Sequence, residues 1–402
     1  MKFKILHNLI ATGFVFIIIR FFPIILNLNF LDPIENTIQD LNLSDIVFSK
    51  MIKKDDIQVD TNIVLVNIGR LTRYGIAKQL EIINRYEPKV VGIDVFFRKL
   101  NNPFNDSTLK AVLQKTKNAV LVSKLIWNSE NDQYDTIEYC HPEFKQNHRT
   151  GFVNFIMDKD TSSRTTRTFT PKQQVGNKTE INFSCVIASV FNPEKTKKLL
   201  DRNNEIEIIN FRRNFNKYYH IDADEIFQRQ DSLGFIRDKI VLMGYMGPNF
   251  HTLTTDDIFF TPMNEQYIGK SLPDMYGIVV HANVISMILD ESFYYKFDLY
   301  IAAIIIFVYV FLVFNFFTYL RTKSEFTSRF YEPISILTVF ASIFLFIFLN
   351  LNSIYLFRVD LNLMISVFVF LIIIPCYEAY FDSIKPLLEG LINKLKKDGK
   401  KK

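Results

Sequence analysis

Four long apolar runs constrain this chain more than any other feature: residues 5–28, 299–320, 334–351 and 361–377. Each is close to the roughly 20 residues that a helix needs to cross a hydrocarbon core of about 30 Å. One run opens the chain and three are bunched near its end, bracketing a mostly polar stretch, residues 29–298. The layout predicts four transmembrane helices, one N-terminal and three C-terminal, and one large domain outside the bilayer. Arg20, near the outer end of the first run, is placed where a long side chain snorkels its charge to the interface.

Lysine and arginine near membrane ends favour the cytoplasmic side. Lys2 and Lys4 precede the first run, Arg321, Lys323 and Arg329 lie between the second and third, and Lys385, Lys394, Lys396, Lys397 and Lys400 to Lys402 follow the fourth. With four spans all three groups fall on one side. The expected topology is a cytoplasmic N-terminus (residues 1–4), an outer domain (29–298), a cytoplasmic turn (321–333), an outer turn (352–360) and a basic cytoplasmic tail (378–402). A cleaved signal peptide is the competing reading of the first run. The run is long for one and lacks a small-x-small site, which favours an uncleaved anchor.

Hydrophobic residues make up 49% of the chain and Phe alone numbers 40, concentrated in the runs, while the net charge is only +5. Much of the positive excess lies in the tail, where it meets anionic lipid headgroups, so lipid rather than nucleic acid is the expected partner. Within 384–397, leucines and isoleucines alternate with lysines at helical spacing, which reads as a basic amphipathic helix on the inner leaflet or docked on a partner. Cys376 lies in a run, and whether Cys140 and Cys185 pair is left open by spacing alone.

In the outer domain, short β-branched runs alternate with helical patterns. Residues 63–68 (IVLVNI), 89–97 (KVVGIDVFF) and 118–123 (NAVLVS) read as strands, and 76–86 and 107–117 as amphipathic helices. Apolar runs divided by helices of this length predict an α/β fold, a mostly parallel sheet with flanking helices. Residues 140–213 are less regular, with strands suggested at 151–155, 164–170 and 205–211 and a helix at 183–191. A further unit has a strand at 238–244, a loop holding 259–262 (FFTP) and a helix at 279–289.

Ligands of open parallel sheets bind in the crevice beyond the strand ends. Asn67, Asp94, Ser123 and the Gly244 turn approach that edge if the strands align. Asp94 closes a buried-strand run, and a carboxylate there accepts hydrogen bonds from a ligand or holds a cation; the competing role is capping a loop or pairing with an arginine. His281 and Asn283 open the last soluble helix, as ligand contacts or as cap and packing residues. Asp257, beside Asp256 and Thr261, belongs to a polar turn that can cover a pocket. No phosphate loop, dinucleotide fingerprint, His-Glu-x-x-His zinc motif or nucleophile elbow occurs. The expectation is a protein that is not an enzyme and needs no cofactor, metal or catalytic residue.

The runs IVLVNIG (63–69), VVGIDVF (90–96), KIVLMG (239–244), DIFFTP (257–262) and GIVVHAN (277–283), in this order and with this flanking topology, resemble the CHASE2 domain over residues 30–380. That resemblance implies an extracytoplasmic sensor between an N-terminal anchor and C-terminal spans, in a multi-pass protein of the bacterial cytoplasmic membrane. Relatives carry acidic residues after the first strand and a Trp/Pro-rich turn with an arginine; here 67–75 read NIGRLTRYG. Relatives also commonly continue into a cyclase or kinase, for which residues 378–402 are too short.

The function so implied is sensing: a small molecule or protein bound outside, its state relayed through the C-terminal helices to a separate cytoplasmic or membrane partner, with a homodimer as the assembly that signalling receptors suggest. The ligand edge expected is Asn67, Asp94, Gly244, Asp257, His281 and Asn283. The alternatives are a non-signalling scaffold for an envelope complex and, third, an extracytoplasmic hydrolase using Asp94 and His281, which needs those side chains to converge and a metal to bind.

Overall fold

The computed structural model describes residues 2–25, 43–52, 57–155, 165–252, 254–264 and 272–398. The end of the first apolar run (26–28), the expected start of the outer domain (29–42), Arg164 and Lys400 to Lys402 lie outside the described residues. The chain divides into two compact units, residues 38–294 and residues 1–37 with 295–402.

In chain order the helices that matter are α1 (Lys2–Ile25), α2 (Arg73–Asn84), α3 (Pro103–Lys115), α4 (Phe183–Phe191), α5 (Gly277–Leu289), α6 (Leu299–Lys323), α7 (Tyr331–Phe357), α8 (Ile365–Glu378) and α9 (Lys385–Asp398). The main sheet is built from β1 (Asp60–Asn67), β2 (Val90–Ile93), β3 (Ala119–Asn128), β4 (Gln133–Tyr139), β5 (Arg149–Phe152), β6 (Tyr218–Ile221) and β7 (Ile240–Gly244).

Its order is β6-β1-β7-β2-β3-β4, with β5 also paired to β3. Every pairing is parallel except β3 with β4. Strands β2 and β7 are buried at every position, which requires helices on both faces and explains why their sequences lack polar alternation. Helices α2 and α3 connect parallel strands and pack on each other, while α4 and α5 pack together and lie on β1, β2, β3 and β7. Local chemistry starts the helices: Thr72 accepts from the Gly75 amide, Asn102 from that of Asn105 with Pro103 following, and Asn182 from that of Ser184. Every residue of α5 is buried.

Several sequence expectations shift. β2 stops at Ile93, although the Asp94 amide still bonds the Met243 carbonyl at 2.8 Å. The strands expected at 164–170 and 205–211 shrink to Thr168–Phe169 and Glu207–Ile208, which pair with each other apart from the main sheet. Helix α5 begins at Gly277, two residues early. β4 and β6 were not expected: one is a half-exposed hairpin partner and the other an edge strand only four residues long. Cys140 and Cys185 are both buried and unpaired.

In the other unit, three helices are long and apolar enough to cross a membrane among the described residues: Leu299–Lys323, Tyr331–Phe357 and Ile365–Leu391. Ile5–Phe21 is a shorter apolar helix. The third long helix contains Pro375, passes through a π-helical stretch, Ala379–Ile384, and continues as α9. Ala11 and Val15 of α1 are buried in one core with Ile306, Val310, Phe314, Phe370 and Tyr377. Polar side chains join the same helices: Asn8 donates to Asn315 at 2.9 Å and accepts from Thr318 at 2.8 Å, and Thr318 lies 2.9 Å from the Tyr377 hydroxyl.

Candidate functional site

The strand ends do align. Asn67 and Gly244 are register partners on β1 and β7, and Asp94 follows β2 beside them. The first two serve the fold. Asn67 uses its whole hydrogen-bonding capacity: its Oδ1 accepts from the amides of Gly69 and Met246, both at 2.9 Å, and its Nδ2 donates to Asp222 at 2.8 Å and to the Gly247 carbonyl at 3.1 Å. It thereby fastens the loops after β1, β6 and β7 to one another. A Cβ on Gly244 would stand 2.9 Å from that of Ile278, so this glycine is where α5 seats on β7. Asn283 is equally committed: its Oδ1 accepts from the amides of Arg212 and Arg213 at 3.1 Å, and its Nδ2 donates to the carbonyls of Arg213 at 2.7 Å and Val279 at 3.0 Å.

The other three expected residues meet in a cleft of about 310 Å³, lined by Asp94, Phe96, Arg98, Lys124, Val153, Asn154, Phe155, Asp257, Phe259, Gly277 and His281. It opens beyond β2 and β3 and beside the start of α5. Asp94 is partly buried, and its carboxylate has no hydrogen-bond partner among the described residues. Burial, and next the charge of Asp257, push its pKa from 3.8 up to about 7. Asp257 stands in a left-handed backbone conformation at φ 55°, its carbonyl accepting from the Gly277 amide at 3.0 Å. Its carboxylate crowds Gly277 so closely that a Cβ there would lie 3.1 Å from Oδ1. Desolvation by the surrounding protein pushes this carboxyl up to about 6, although the residue is exposed.

His281 is only 1% exposed. Its Nδ1 lies 2.8 Å from the Ser184 hydroxyl, and its ring packs on Phe155, centroids 4.5 Å apart, and on Phe183 at 5.2 Å. Burial pushes its pKa down to about 3, so the ring is neutral. Asn154 holds the wall opposite: it accepts from the Leu125 amide at 2.7 Å and donates to the Leu125 carbonyl at 3.0 Å, which fixes Phe155 beside β3. At the rim, Arg98 lies over the Phe96 ring and pairs with Glu138 at 3.1 Å. Lys124 is exposed and has no partner among the described residues. No group of three or more His, Cys, Asp or Glu placed to hold a metal occurs among the described residues.

The CHASE2 domain model matches residues 11–314. The chain belongs to the CHASE2 family of extracytoplasmic sensor domains. No curated protein and no solved structure matches it. Within this CHASE2 chain the VVGIDVF run supplies Asp94 and Phe96 to the cleft, DIFFTP supplies Asp257 and Phe259, and GIVVHAN supplies Gly277 and His281, so three separate motifs converge on one cavity. Asn67, Gly244 and Asn283 lie in such motifs too but hold the scaffold. Sequence reasoning missed Arg98, Lys124 and Phe155. Phe155 follows β5, whose parallel pairing with β3 has no local signal, and the two cations lie just past or within strands where a charge reads as a solvent-facing residue.

Proposed function

We propose that this protein is a membrane-anchored sensor in the inner membrane of a bacterium. In this reading its outer domain binds a small molecule or protein at the Asp94 cleft, and the C-terminal helices relay the bound state to a separate cytoplasmic or membrane partner. The observation that carries it is the double position of α5. Gly277 and His281 wall the cleft, and the same helix is the last of its domain before the chain runs from Leu289 to α6 at Leu299. A ligand that draws Gly277 toward Asp94 acts on the element that leads into the membrane helices. Relay of this kind requires two states of different ligand affinity, since equal affinity shifts nothing.

In this reading α1 completes a four-helix anchor, with both termini cytoplasmic and the outer domain in the periplasm or extracellular space. Its support is the burial of Ala11 and Val15 against α6 and α8 residues together with the lysine and arginine distribution. Leu387 and Leu391 of α9 are exposed, as a helix lying on anionic lipid requires. A homodimer is the proposed assembly. Binding rather than catalysis is proposed for the cleft: a histidine held near pKa 3 is a weak base at neutral pH, and the Ser184 hydroxyl beside it is fully buried.

The scaffold reading has one observation in its favour: Asn67, the last residue of β1 and one of the expected ligand contacts, is wholly engaged in fold contacts. A thermal-shift screen of the full chain in detergent against metals, nucleotides, sugars and peptides separates the two. A ligand at about 100 times its Kd adds about 2.7 kcal/mol. A saturable shift abolished by Asp94→Ala supports the sensor, and a folded chain that no class stabilises supports the scaffold.

A further inference from the structure

We propose that the ligand of this cleft is a small amino acid, bound with its ammonium group against Asp94 and Asp257 and its carboxylate toward Lys124. The inference rests on the sensor reading above and narrows it. The cleft is lined by two carboxylates, Asp257, which is exposed, and Asp94, which is partly buried and has no hydrogen-bond donor among the described residues. Ionised carboxylates only accept, and a primary ammonium brings three donors. The aromatic rings of Phe96, Phe155 and Phe259 line the same space, and ring faces attract organic cations. A bare divalent ion fits less well, because the described side chains form no group of three or more ligating residues there.

The rim decides what the other end of the ligand carries. The Arg98 charge is met by Glu138 at 3.1 Å, which leaves Lys124 as the exposed cation facing the cleft. A carboxylate on the ligand satisfies it, whereas the second ammonium of a diamine is repelled by it, so one lysine provides both attraction and discrimination. The volume of about 310 Å³ stands at the low end of small-molecule sites. That suits a ligand of amino-acid size and is small for a nucleotide.

The test is calorimetric titration of the full chain in detergent with the protein amino acids singly, with putrescine as an amine lacking a carboxylate, and with propionate as a carboxylate lacking an amine. At least one amino acid is expected to bind saturably, weakened about tenfold or more by Asp94→Asn, a loss of the size expected for a charged partner. Lys124→Ala is expected to weaken the same amino acid several-fold and to strengthen putrescine. Lys124 is exposed and Asp94 makes no side-chain hydrogen bond to the described fold, so both variants should fold, checked by their melting curves. Putrescine or propionate bound in an Asp94-dependent manner as tightly as any amino acid overturns the inference while leaving the cleft as a ligand site. Amino-acid binding that neither variant changes overturns it as well. If no amino acid binds, the inference falls, and the broader screen then decides separately whether the sensor reading falls with it.

Discussion

The Nδ1 of His281 lies 2.8 Å from the hydroxyl of Ser184, and this contact ties the helix that walls the cleft to the first turn of α4. Ser184 is fully buried and also lies 3.3 Å from the His281 carbonyl. Removing the hydroxyl strands a buried ring nitrogen. Ser184→Ala is expected to destabilise the outer domain by about 1–3 kcal/mol, the desolvation penalty of an unsatisfied group, measured by denaturant unfolding of the full chain in detergent. An unchanged midpoint would show that the ring finds another partner and that the tie is dispensable.

Asp94 and His281 give the outer domain opposite pH responses. The carboxyl of Asp94 is raised from 3.8 to about 7 in the fold, so its contribution to stability is fully present below about pH 4 and is lost as pH rises through 7. His281 is lowered from 6.5 to about 3, so its contribution is present above 6.5 and is lost as pH falls toward 3. Asp94→Asn removes the first response alone. The variant should be more stable than the parent by about 1–2 kcal/mol above pH 7, a figure held well under the full linkage value because water reaches the carboxylate. The difference should vanish near pH 4. Melting curves of both proteins between pH 4 and 8 check this, and a constant offset across that range would mean that Asp94 does not titrate there.

The sheet was legible in the sequence because its central strands are buried on both faces and therefore read as unbroken apolar runs. Asp94 was legible as a candidate for the same reason, since a carboxylate that closes such a run stands at the strand ends, where it lines the cleft. Asn67 and Asn283 misled because a polar residue at a strand end or in a buried helix looks the same in sequence whether it meets a ligand or, as here, backbone amides far along the chain. The partners of Asn67 include Met246 and Gly247, and those of Asn283 include Arg212 and Arg213. Tertiary pairing at those distances leaves no periodic trace. The same limit hid β4 and β6, whose short, half-exposed sequences form strands because β3 and β1 offer them open edges.

Gly244 should prove structural rather than ligand-binding. Its position against Ile278 leaves no room for a methyl group, and the obstructing atom is a helical Cβ that cannot rotate away. Gly244→Ala is expected to cost about 1–3 kcal/mol by overpacking β7 against α5. Ligand affinity of the fraction that remains folded should stay within about twofold of the parent, within the usual scatter of single contacts. Titration below the melting transition separates the two effects: a large loss of affinity with little loss of stability would return Gly244 to the site.

In the membrane-capable unit, Asn8 of α1 is the node between two residues of α6, Asn315 and Thr318, and Thr318 in turn meets Tyr377 of α8. Packing alone discriminates poorly between apolar helices in lipid, because the tails are as apolar as the side chains, so such polar contacts select which faces meet. Asn8→Ala and Thr318→Ala should therefore be coupled. A double-mutant cycle on unfolding of the full chain is expected to give a coupling of about 0.5–2 kcal/mol, the range measured for interhelical hydrogen bonds. The cycle also bears on the anchor. If α1 is a fourth member of the bundle, removing either side chain weakens the docking of α1 on α6, and an apolar pair at the two positions restores part of it. Strictly additive losses would place α1 outside the bundle and reduce the anchor to the three C-terminal helices.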